Sequence, residues 1–376
     1  MKTIDSAQHR TDRRGFLKGM IAAGAVATGA LALPSVSQAQ ARTLALQTNF
    51  AKGDILYEFG VDYTVLVNRM TGGTLRIDAL DPGKVAAGPA TIDAVNTGAV
   101  DAGIGVANWW DKKHPAFNLF GTAPAWGWGT NEFLGWMRRG GGQALYDELL
   151  AMCKLEVVSF MFGPHPNQPF GWFKKEVAGA GELKGMKYRT LGIAADMSTA
   201  IGMAVNPLPG GKLAGAIQSG ELDGAEFNNP LSDRALGLPE AAKVYMLQSY
   251  HQPCECFEVL YQKKAYDALT KEMQDTLRIA ASAASAEMQW KAMDLYSTAL
   301  EELQNRQGVK LVKTPDDILA AQLKGWDKVI AEMSAKDAFF KKVVDSQKAW
   351  ARRVVGFNLR WEVSQRMAYE HNFGSL

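Results

Sequence analysis

Residues 93–103 read DAVNTGAVDAG, and residues 215–225 repeat that pattern as GAIQSGELDGA, with Ala, Gly and Asp at the same spacing. Each copy has the pattern of a helix that ends at a C-cap glycine, Gly98 or Gly220, and is followed by a turn and a short strand. The two segments predict two similar halves of the chain, unless they are two unrelated helix ends.

The segments around the first copy alternate between strand and helix patterns. Residues 43–50 and 75–80 have the apolar pattern of strands. Residues 57–70 between them have the periodicity of a helix, which Gly72 and Gly73 end. Strand, helix and strand in succession are typical of the α/β fold class.

The last third of the chain changes to long helical patterns, at residues 271–307, 315–333 and 338–369. They are too long and too rich in alanine to be simple covers of a sheet. We expect one of them to span both halves and the last to pack across the molecule or onto a partner.

Two side-chain pairs follow the predicted strands of the two copies: Asn108 and Trp109 in the first, Glu226 and Phe227 in the second. In open α/β sheets, ligands bind beyond the carboxyl ends of strands. Two such ends that face each other would form a cleft, and we expect these four residues to line it.

The N-terminus has the pattern of an export signal. Arg13 and Arg14 stand in a basic stretch that precedes the uncharged residues 19–33, which are too few and too weakly apolar for a membrane span. The pattern predicts a twin-arginine signal over residues 1–41, with cleavage before Arg42 or after Ala39, and hence export of a folded protein to the periplasm.

Removal of this signal changes the charge of the chain. The signal carries five basic and two acidic residues, so the net charge of +2 becomes −1 for the remainder. A near-neutral chain without basic runs does not favour nucleic acid or an anionic membrane surface as a partner. The three cysteines, Cys153, Cys254 and Cys256, leave at least one thiol unpaired and argue against a disulfide framework.

The remaining 335 residues exceed what one hydrophobic core usually serves. We therefore expect two lobes. The predicted division is an N-terminal lobe at 42–166, completed by part of 254–330, a C-terminal lobe at 167–253, and bridging and C-terminal helices at 254–376.

Sequence motifs of common enzymes are absent. The chain has no Gly-x-Ser-x-Gly elbow, His-Glu-x-x-His helix, phosphate-binding loop or dinucleotide-binding glycine motif. A dyad of His251 and Cys254 is the one enzymatic alternative, and no neighbouring residue has the pattern of a third, orienting group. The sequence therefore favours a binding protein over an enzyme.

Polar residues concentrate between positions 165 and 258. Arg189, in a predicted strand, could pair with a carboxylate of a ligand or with an internal acid. Glu226 needs a positive partner if it is buried, and either Arg189 or a cation could supply it. Oxygens of Gln168, Phe227 and Gln252 would complete a site for a hard ion such as Na⁺ or Ca²⁺. Residue types alone leave these alternatives open.

Five motifs show that the chain resembles the periplasmic solute-binding proteins of TRAP transporters, and most closely the branch that binds 2-oxo monocarboxylates. These motifs are Gln168 with GWFKK at 171–175, LKGMKYR at 183–189, PGG at 209–211, DGAEFNNP at 223–230 and YHQP at 250–253. The resemblance implies a two-lobed periplasmic binding protein fold of type II-like architecture, and capture of a ligand without chemistry.

The resemblance also implies roles for single residues. Arg189 would clamp the ligand carboxylate, and Gln168 would touch both ligand and metal. Glu226 would give its carboxylate and Phe227 its main-chain oxygen to the cation, with Gln252 as a further ligand.

Many relatives carry Glu at the position of Gln252, and the missing charge favours Na⁺ over Ca²⁺. Glu255 lies three residues after Gln252, and side chains an odd number of positions apart on a strand point to opposite faces. This spacing argues against Glu255 as the source of the missing charge.

Asn108, Trp109 and Phe227 would contact the ligand, although Trp109 could equally be a core residue. The implied partners are a small carboxylate and TRAP membrane permease subunits. A homodimer through the C-terminal helix is also implied, unless the aromatic residues of 338–369 pack within one chain. Lactate, another small acid, a sugar acid or an ectoine-like zwitterion are alternatives to pyruvate as the ligand.

Overall fold

The computed structural model describes residues 41–375, so the predicted export signal at 1–41 lies outside the described residues except for Ala41. The strands are β1 (Arg42–Thr48), β2 (Leu75–Leu80), β3 (Ala102–Gly105), β4 (Val157–His165), β5 (Gly171–Phe173), β6 (Lys187–Arg189), β7 (Ala204–Val205), β8 (Gly224–Ala225), β9 (Val244–Met246), β10 (Glu255–Gln262) and β11 (Lys310–Val312). The helices are α1 (Ile55–Met70), α2 (Thr91–Thr97), α3 (Asn118–Gly121), α4 (Thr130–Arg139), α5 (Gly142–Met152), α6 (Gly192–Ala200), α7 (Leu213–Ser219), α8 (Pro230–Ala235), α9 (Leu238–Ala241), α10 (Lys263–Asp267), α11 (Lys271–Gln307), α12 (Asp316–Lys336), α13 (Ala338–Trp361) and α14 (Gln365–Phe373).

The strands form two mixed sheets, which confirms the predicted α/β class. The first sheet has the order β2-β1-β3-β10-β4, and the second has the order β11-β9-β5-β8-β6-β7. In the first sheet, β1 is parallel to β2 and β3, while β10 is antiparallel to both of its neighbours. In the second sheet, β6 is parallel to β7 and β8.

The chain passes between the two sheets at three places. The connection from β4 to β5 carries Gln168, and the connection from β9 to β10 carries Gln252. The third connection runs from β10 through α10 and α11 to β11. Two of the predicted binding residues therefore lie on the segments that join the sheets.

The repeated segments have the same structure, as their sequences predict. Helices α2 and α7 end at Gly98 and Gly220, both in the left-handed region at φ 76° and φ 81°, where a side chain would be strained. Strands β3 and β8 follow within the two sheets.

The repeated aspartate has the same contact in both copies. The Asp101 carboxylate accepts the N–H of Ala45 on β1, at 2.8 Å. The Asp223 carboxylate accepts the N–H of Lys187 on β6, also at 2.8 Å. Each aspartate thus joins its strand to the neighbouring parallel strand, which explains why Gly and Asp recur at this spacing.

Helix α11 spans both sheets, as predicted for one of the long helices. Leu277 and Ala281 pack with Ile104 and Val259 in a core of the first sheet. Leu303, about seven turns after Leu277 on the same helix, packs with Trp172 and other residues of the second sheet.

The prediction of one helix over 338–369 is wrong in detail. Helix α13 ends at Trp361, where Glu362 turns to an extended conformation, and Ser364 then caps α14 by accepting the N–H of Met367 at 3.1 Å. No helix within residues 41–375 has the length and apolarity that a bilayer crossing requires.

Candidate functional site

The site lies where the two connecting segments meet the ends of β6 and β8. The main-chain N–H of Gln168 donates to the main-chain oxygen of Gln252 at 3.2 Å, so the two connections are held side by side. Both side chains are buried. The structure therefore brings together Gln168, Gln252, Arg189 and Glu226, which are far apart in sequence.

Arg189 and Glu226 come from neighbouring parallel strands. Arg189 is paired in register with Ala225, so Glu226 is the first residue beyond the carboxyl-terminal end of β8, next to the end of β6. Nη1 of Arg189 donates to Glu226 Oε1 at 3.1 Å and to the Glu226 main-chain oxygen at 2.8 Å, and Nε donates to the Leu208 main-chain oxygen at 2.9 Å. Among the described residues no acceptor is found for Nη2, which leaves one edge of the guanidinium for a ligand.

Phe227 supports this arginine from one side. Its ring centroid lies 5.7 Å from Arg189 Cζ, a cation–π contact. Phe227 also approaches Gly210 so closely that a Cβ there would lie 2.6 Å from its ring. The glycine of the PGG motif therefore makes room for the aromatic ring that positions the arginine.

Glu226 is a buried carboxylate in an unfavourable environment. Its side chain is 3% exposed. Burial raises the pKa of Glu226 to about 7, although the Arg189 charge acts in the opposite direction. A further positive charge at this carboxylate would stabilise its ionised form.

Glu255 is a second buried carboxylate of the site, and the prediction that it faces away is wrong. Its Oε2 accepts Gln168 Nε2 at 3.1 Å and Asn228 Nδ2 at 3.2 Å. Burial and, second, the negative charge of Glu226 together raise the pKa of Glu255 to about 8. Strand alternation does not apply to this pair of positions, because Gln252 lies in a bend and β10 begins only at Glu255.

Sequence reasoning also missed Asn228, although it lies inside the quoted motif DGAEFNNP. Asn228 is held by the main chain, since its N–H donates to Asp233 at 3.2 Å. Asp233 in turn accepts Trp172 Nε1 at 2.8 Å and the Tyr245 hydroxyl at 2.9 Å. Asp233, which follows the motif, thus joins the loop after β8 to β5 and β9, and Asn228 on this loop contacts Glu255.

A contact between α8 and α1 lies next to this loop. Ser232 Oγ donates to Asp54 Oδ1 at 2.7 Å, and the same Asp54 oxygen caps α1 by accepting the Leu56 N–H at 3.0 Å. Asn229 Nδ2 donates to Ser232 Oγ at 2.9 Å. The Ser232–Asp54 hydrogen bond joins a helix beside the second sheet to a helix beside the first.

Several buried polar atoms of this region have no hydrogen-bond partner among residues 41–375. They are Gln168 Oε1, Asn108 Oδ1, Asn118 Oδ1, Thr190 Oγ1 and His251 Nε2. Unpartnered buried polar atoms cost free energy, and they gather where a ligand, ion or water supplies the missing contact. Gln168 Oε1 is the acceptor that a cation between the carboxylates would use.

Asn108 and Trp109 lie in a short 3₁₀ turn, Ala107–Trp110, directly after β3. Asn108 donates to Thr122 Oγ1 at 3.0 Å. Trp109 is half-buried and packs on Phe50, with 5.3 Å between ring centroids. Asn108 also approaches Gly192 at the start of α6, which places this turn against the second half of the molecule.

The alternative dyad of His251 and Cys254 does not form. The Nδ1 atom of His251 lies 2.7 Å from Ser249 Oγ, and burial raises the pKa of the Cys254 thiol well above its usual range. A protonated, buried thiol is not a nucleophile.

The donors around the two carboxylates suit a hard cation. No group of three or more His, Cys, Asp or Glu side chains that could hold a metal occurs in the described part of the chain. A cation here would instead be held by two carboxylates together with amide and main-chain oxygens, a set suited to Na⁺ or Ca²⁺ and not to zinc.

Comparison with known proteins gives the family. The family described as bacterial extracellular solute-binding protein, family 7, matches residues 47–337. A monocarboxylate 2-oxoacid-binding periplasmic protein of Nostoc sp. is 31% identical over 309 residues, which are 82% of this chain and 82% of that protein.

Solved structures of TRAP solute-binding proteins share the fold. One from Colwellia psychrerythraea, with bound calcium and pyruvate, has a TM-score of 0.78 at 26% identity over 89% of this chain and 100% of that chain. One from Pseudoalteromonas atlantica, with bound sodium and pyruvate, has a TM-score of 0.78 at 25% identity and the same coverage. A dimeric one from Bordetella bronchiseptica, with calcium and picolinate, has a TM-score of 0.80 at 22% identity over 89% and 98%. The chain therefore belongs to family 7 of the bacterial extracellular solute-binding proteins, which are transport receptors and not enzymes.

Proposed function

We propose that this receptor captures a pyruvate-like 2-oxo monocarboxylate together with a cation, for uptake through TRAP permease subunits in the membrane. The observation that carries the proposal is the pairing of Arg189 with two buried carboxylates, Glu226 and Glu255, beside the unpartnered oxygen of Gln168. The Nostoc relative and the two pyruvate-bound structures support it.

The charges of the site explain why a cation is needed. When both are ionised, two carboxylates and one guanidinium leave one negative charge, and an anionic ligand would add another. A cation held by Glu226, Glu255, Gln168, Gln252 and the main-chain oxygen of Phe227 would offset that excess. Arg189 would then pair with the ligand carboxylate, while Asn108, Trp109 and Phe227 contact the rest of the ligand.

Glu255 changes the expected preference of the site between Na⁺ and Ca²⁺. Gln252 in place of a glutamate removes one negative charge, which by itself would favour Na⁺. Glu255 restores that charge, so the site suits Ca²⁺ as well as Na⁺. Relatives with each ion and pyruvate are known.

The two sheets provide the frame for ligand enclosure. We assign an N-terminal lobe at 42–166, completed by part of 254–330, a C-terminal lobe at 167–253, and bridging and C-terminal helices at 254–376, with the connections at Gln168 and Gln252 as the hinge. Closure about these segments would bury the ligand between the turn of Asn108 and the edge of Arg189.

The periplasmic location follows from the family and its relative. We further propose export by the twin-arginine pathway, on the basis of Arg13 and Arg14. Replacement of both arginines by lysine should leave the precursor in the cytoplasm, whereas export of that variant at the normal level would contradict the proposal.

A homodimer is proposed through the C-terminal end of the chain. Leu359, Trp361, Met367 and Phe373 are more than two-thirds exposed, and α14 contains no buried residue. Such a run of exposed apolar side chains is typical of an interaction surface. The related Bordetella protein is dimeric.

One experiment tests ligand, cation and assembly together. A native mass spectrum of the exported protein should show a dimer with one small acid and one cation per chain. Calorimetry with pyruvate, with and without Ca²⁺ or Na⁺, should then show binding that depends on the cation. A protein that binds no 2-oxo acid under any of these conditions would refute the proposed function.

A further inference from the structure

His251 lies directly before Gln252 and is 0% exposed. Its Nε2 atom has no hydrogen-bond partner among residues 41–375. Because the next residue, Gln252, accepts the main-chain N–H of Gln168 at 3.2 Å, His251 lies on a segment that borders the proposed cation site. The roles given above to the site residues do not account for this nitrogen.

The hydrogen bonds around Ser249 reveal which ring nitrogen carries the proton. Gln322 on α12 is fully buried, and its side-chain amide contacts Ser249. The Tyr250 N–H donates to Gln322 Oε1 at 2.7 Å, and an N–H can be satisfied only by the oxygen of the amide. The amide nitrogen of Gln322 therefore faces Ser249 Oγ, at 2.9 Å.

Ser249 Oγ therefore accepts hydrogen bonds from two N–H groups. One is Gln322 Nε2, and the other is the main-chain N–H of His251 at 3.2 Å. A hydroxyl oxygen has two lone pairs, so both are used. Its own proton must go to an acceptor, and His251 Nδ1 at 2.7 Å is nearer than Gln322 Oε1 at 3.2 Å, which already accepts from Tyr250.

His251 Nδ1 is therefore an acceptor, and the ring is neutral with its proton on Nε2. A charged imidazolium would also carry a proton on Nδ1, and Ser249 Oγ has no third lone pair to accept it. The result is a fixed, buried Nε2–H donor that faces no protein acceptor. Such a donor is costly unless something that enters the protein accepts from it.

We infer that His251 donates its Nε2–H to the C2 oxygen of the bound acid and so selects 2-oxo acids over 2-hydroxy acids. This inference rests on the proposed function. A carbonyl oxygen can accept from both the cation and Nε2–H. A hydroxyl brings an additional proton, and the neighbouring acceptors, Gln168 Oε1 and the carboxylates of Glu226 and Glu255, would already be used by the cation.

The tautomer can be measured in the wild-type protein by nuclear magnetic resonance. Long-range ¹H–¹⁵N correlation spectra of the ¹⁵N-histidine-labelled protein distinguish the two neutral forms and the charged form, and a His251→Gln sample identifies the signal. We expect Nε2–H both before and after addition of pyruvate, with a shift of the Nε2 proton on addition. An Nδ1–H or charged ring, or an unchanged Nε2 signal while calorimetry reports bound pyruvate, overturns the inference.

Selectivity is measured by calorimetry with pyruvate and L-lactate. His251→Met removes the donor and should weaken pyruvate binding about tenfold, with a smaller effect on lactate. His251→Gln retains an N–H and should recover part of the preference.

The outcomes separate the two proposals. Pyruvate bound equally well by wild-type protein and His251→Met overturns the role of His251 and leaves the proposed function intact. Wild-type protein that binds neither acid overturns both. Thermal unfolding of each variant shows whether a loss of binding is a loss of fold.

Discussion

Nη1 of Arg189 lies 3.1 Å from Oε1 of Glu226, and both side chains are almost completely buried. The pair forms because β6 and β8 are parallel neighbours that end at the same edge of the second sheet. A buried ion pair contributes little net stability, but the loss of one partner leaves an uncompensated charge. Arg189 thus has an internal partner, while its Nη2 atom has no acceptor among residues 41–375.

Arg189→Ala should abolish pyruvate binding and also destabilise the fold. Loss of a buried charge partner costs about 3–5 kcal/mol in unfolding free energy. The double variant Arg189→Met with Glu226→Gln removes both charges and should recover much of that stability. Calorimetry should still show pyruvate binding at least about 30-fold weaker. Arg76→Ala, at an exposed ion pair, is the control, and a double variant that binds pyruvate normally would exclude Arg189 as the clamp.

Stability of the cation-free protein should fall as pH rises from about 6.5 to about 8, above the range in which the lowered pKa values of the buried His165 and His251 act in the opposite direction. The pKa of Glu226 is raised to about 7 and that of Glu255 to about 8, so the folded state keeps protons that the unfolded state has already released. A raised carboxyl pKa therefore contributes stability that is present at low pH and lost as pH rises through the folded value. Urea midpoints across this range in the presence of a chelator measure the effect, and a midpoint that rises with pH would contradict it.

Added cation should reverse much of this pH dependence. A cation favours the ionised carboxylates, so its binding should tighten with pH and release protons. Calorimetry with CaCl₂ in two buffers of different ionisation enthalpy measures the released protons. Binding without proton release over this pH range would argue against Glu226 and Glu255 as cation ligands.

Glu255→Gln should weaken cation binding while largely retaining the fold. Glutamine has nearly the same shape and still offers an oxygen to Asn228 Nδ2 and Gln168 Nε2, but it lacks the charge. We expect a loss of about tenfold or more in Ca²⁺ affinity and a smaller loss for Na⁺. The control is Glu258→Gln, a buried carboxylate on the same strand that is bonded to Trp110, Tyr146 and Ser159. Equal losses in the two variants would indicate a general effect on β10.

Ser232→Ala should accelerate release of the ligand. The substitution removes the hydrogen bond to Asp54 between α8 and α1 and leaves the Asp54 cap of Leu56 in place. A net contribution of about 1 kcal/mol corresponds to roughly fivefold faster pyruvate dissociation, measured by stopped-flow tryptophan fluorescence. Ser297→Ala, an exposed position on α11, is the control. An unchanged dissociation rate would show that this contact does not hold the two parts together.

The amino-acid sequence by itself determined the local structure and the family. The repeated Gly and Asp predicted two matching helix–strand units, because a left-handed C-cap and a bonded carboxylate are local requirements that residue types reveal. Arg189, Glu226, Gln168 and Gln252 were also identifiable as polar residues at predicted strand ends and connections.

Tertiary structure alone decided which of these groups face one another. Glu255 joins the site because the chain bends after Gln252 and the alternation of a strand does not extend across that bend. The His251 tautomer depends on Gln322, seventy-one positions further along the chain, which reaches Ser249 only through the packing of α12. Contacts between distant residues depend on how the elements pack, and packing is not a property of any short stretch of sequence.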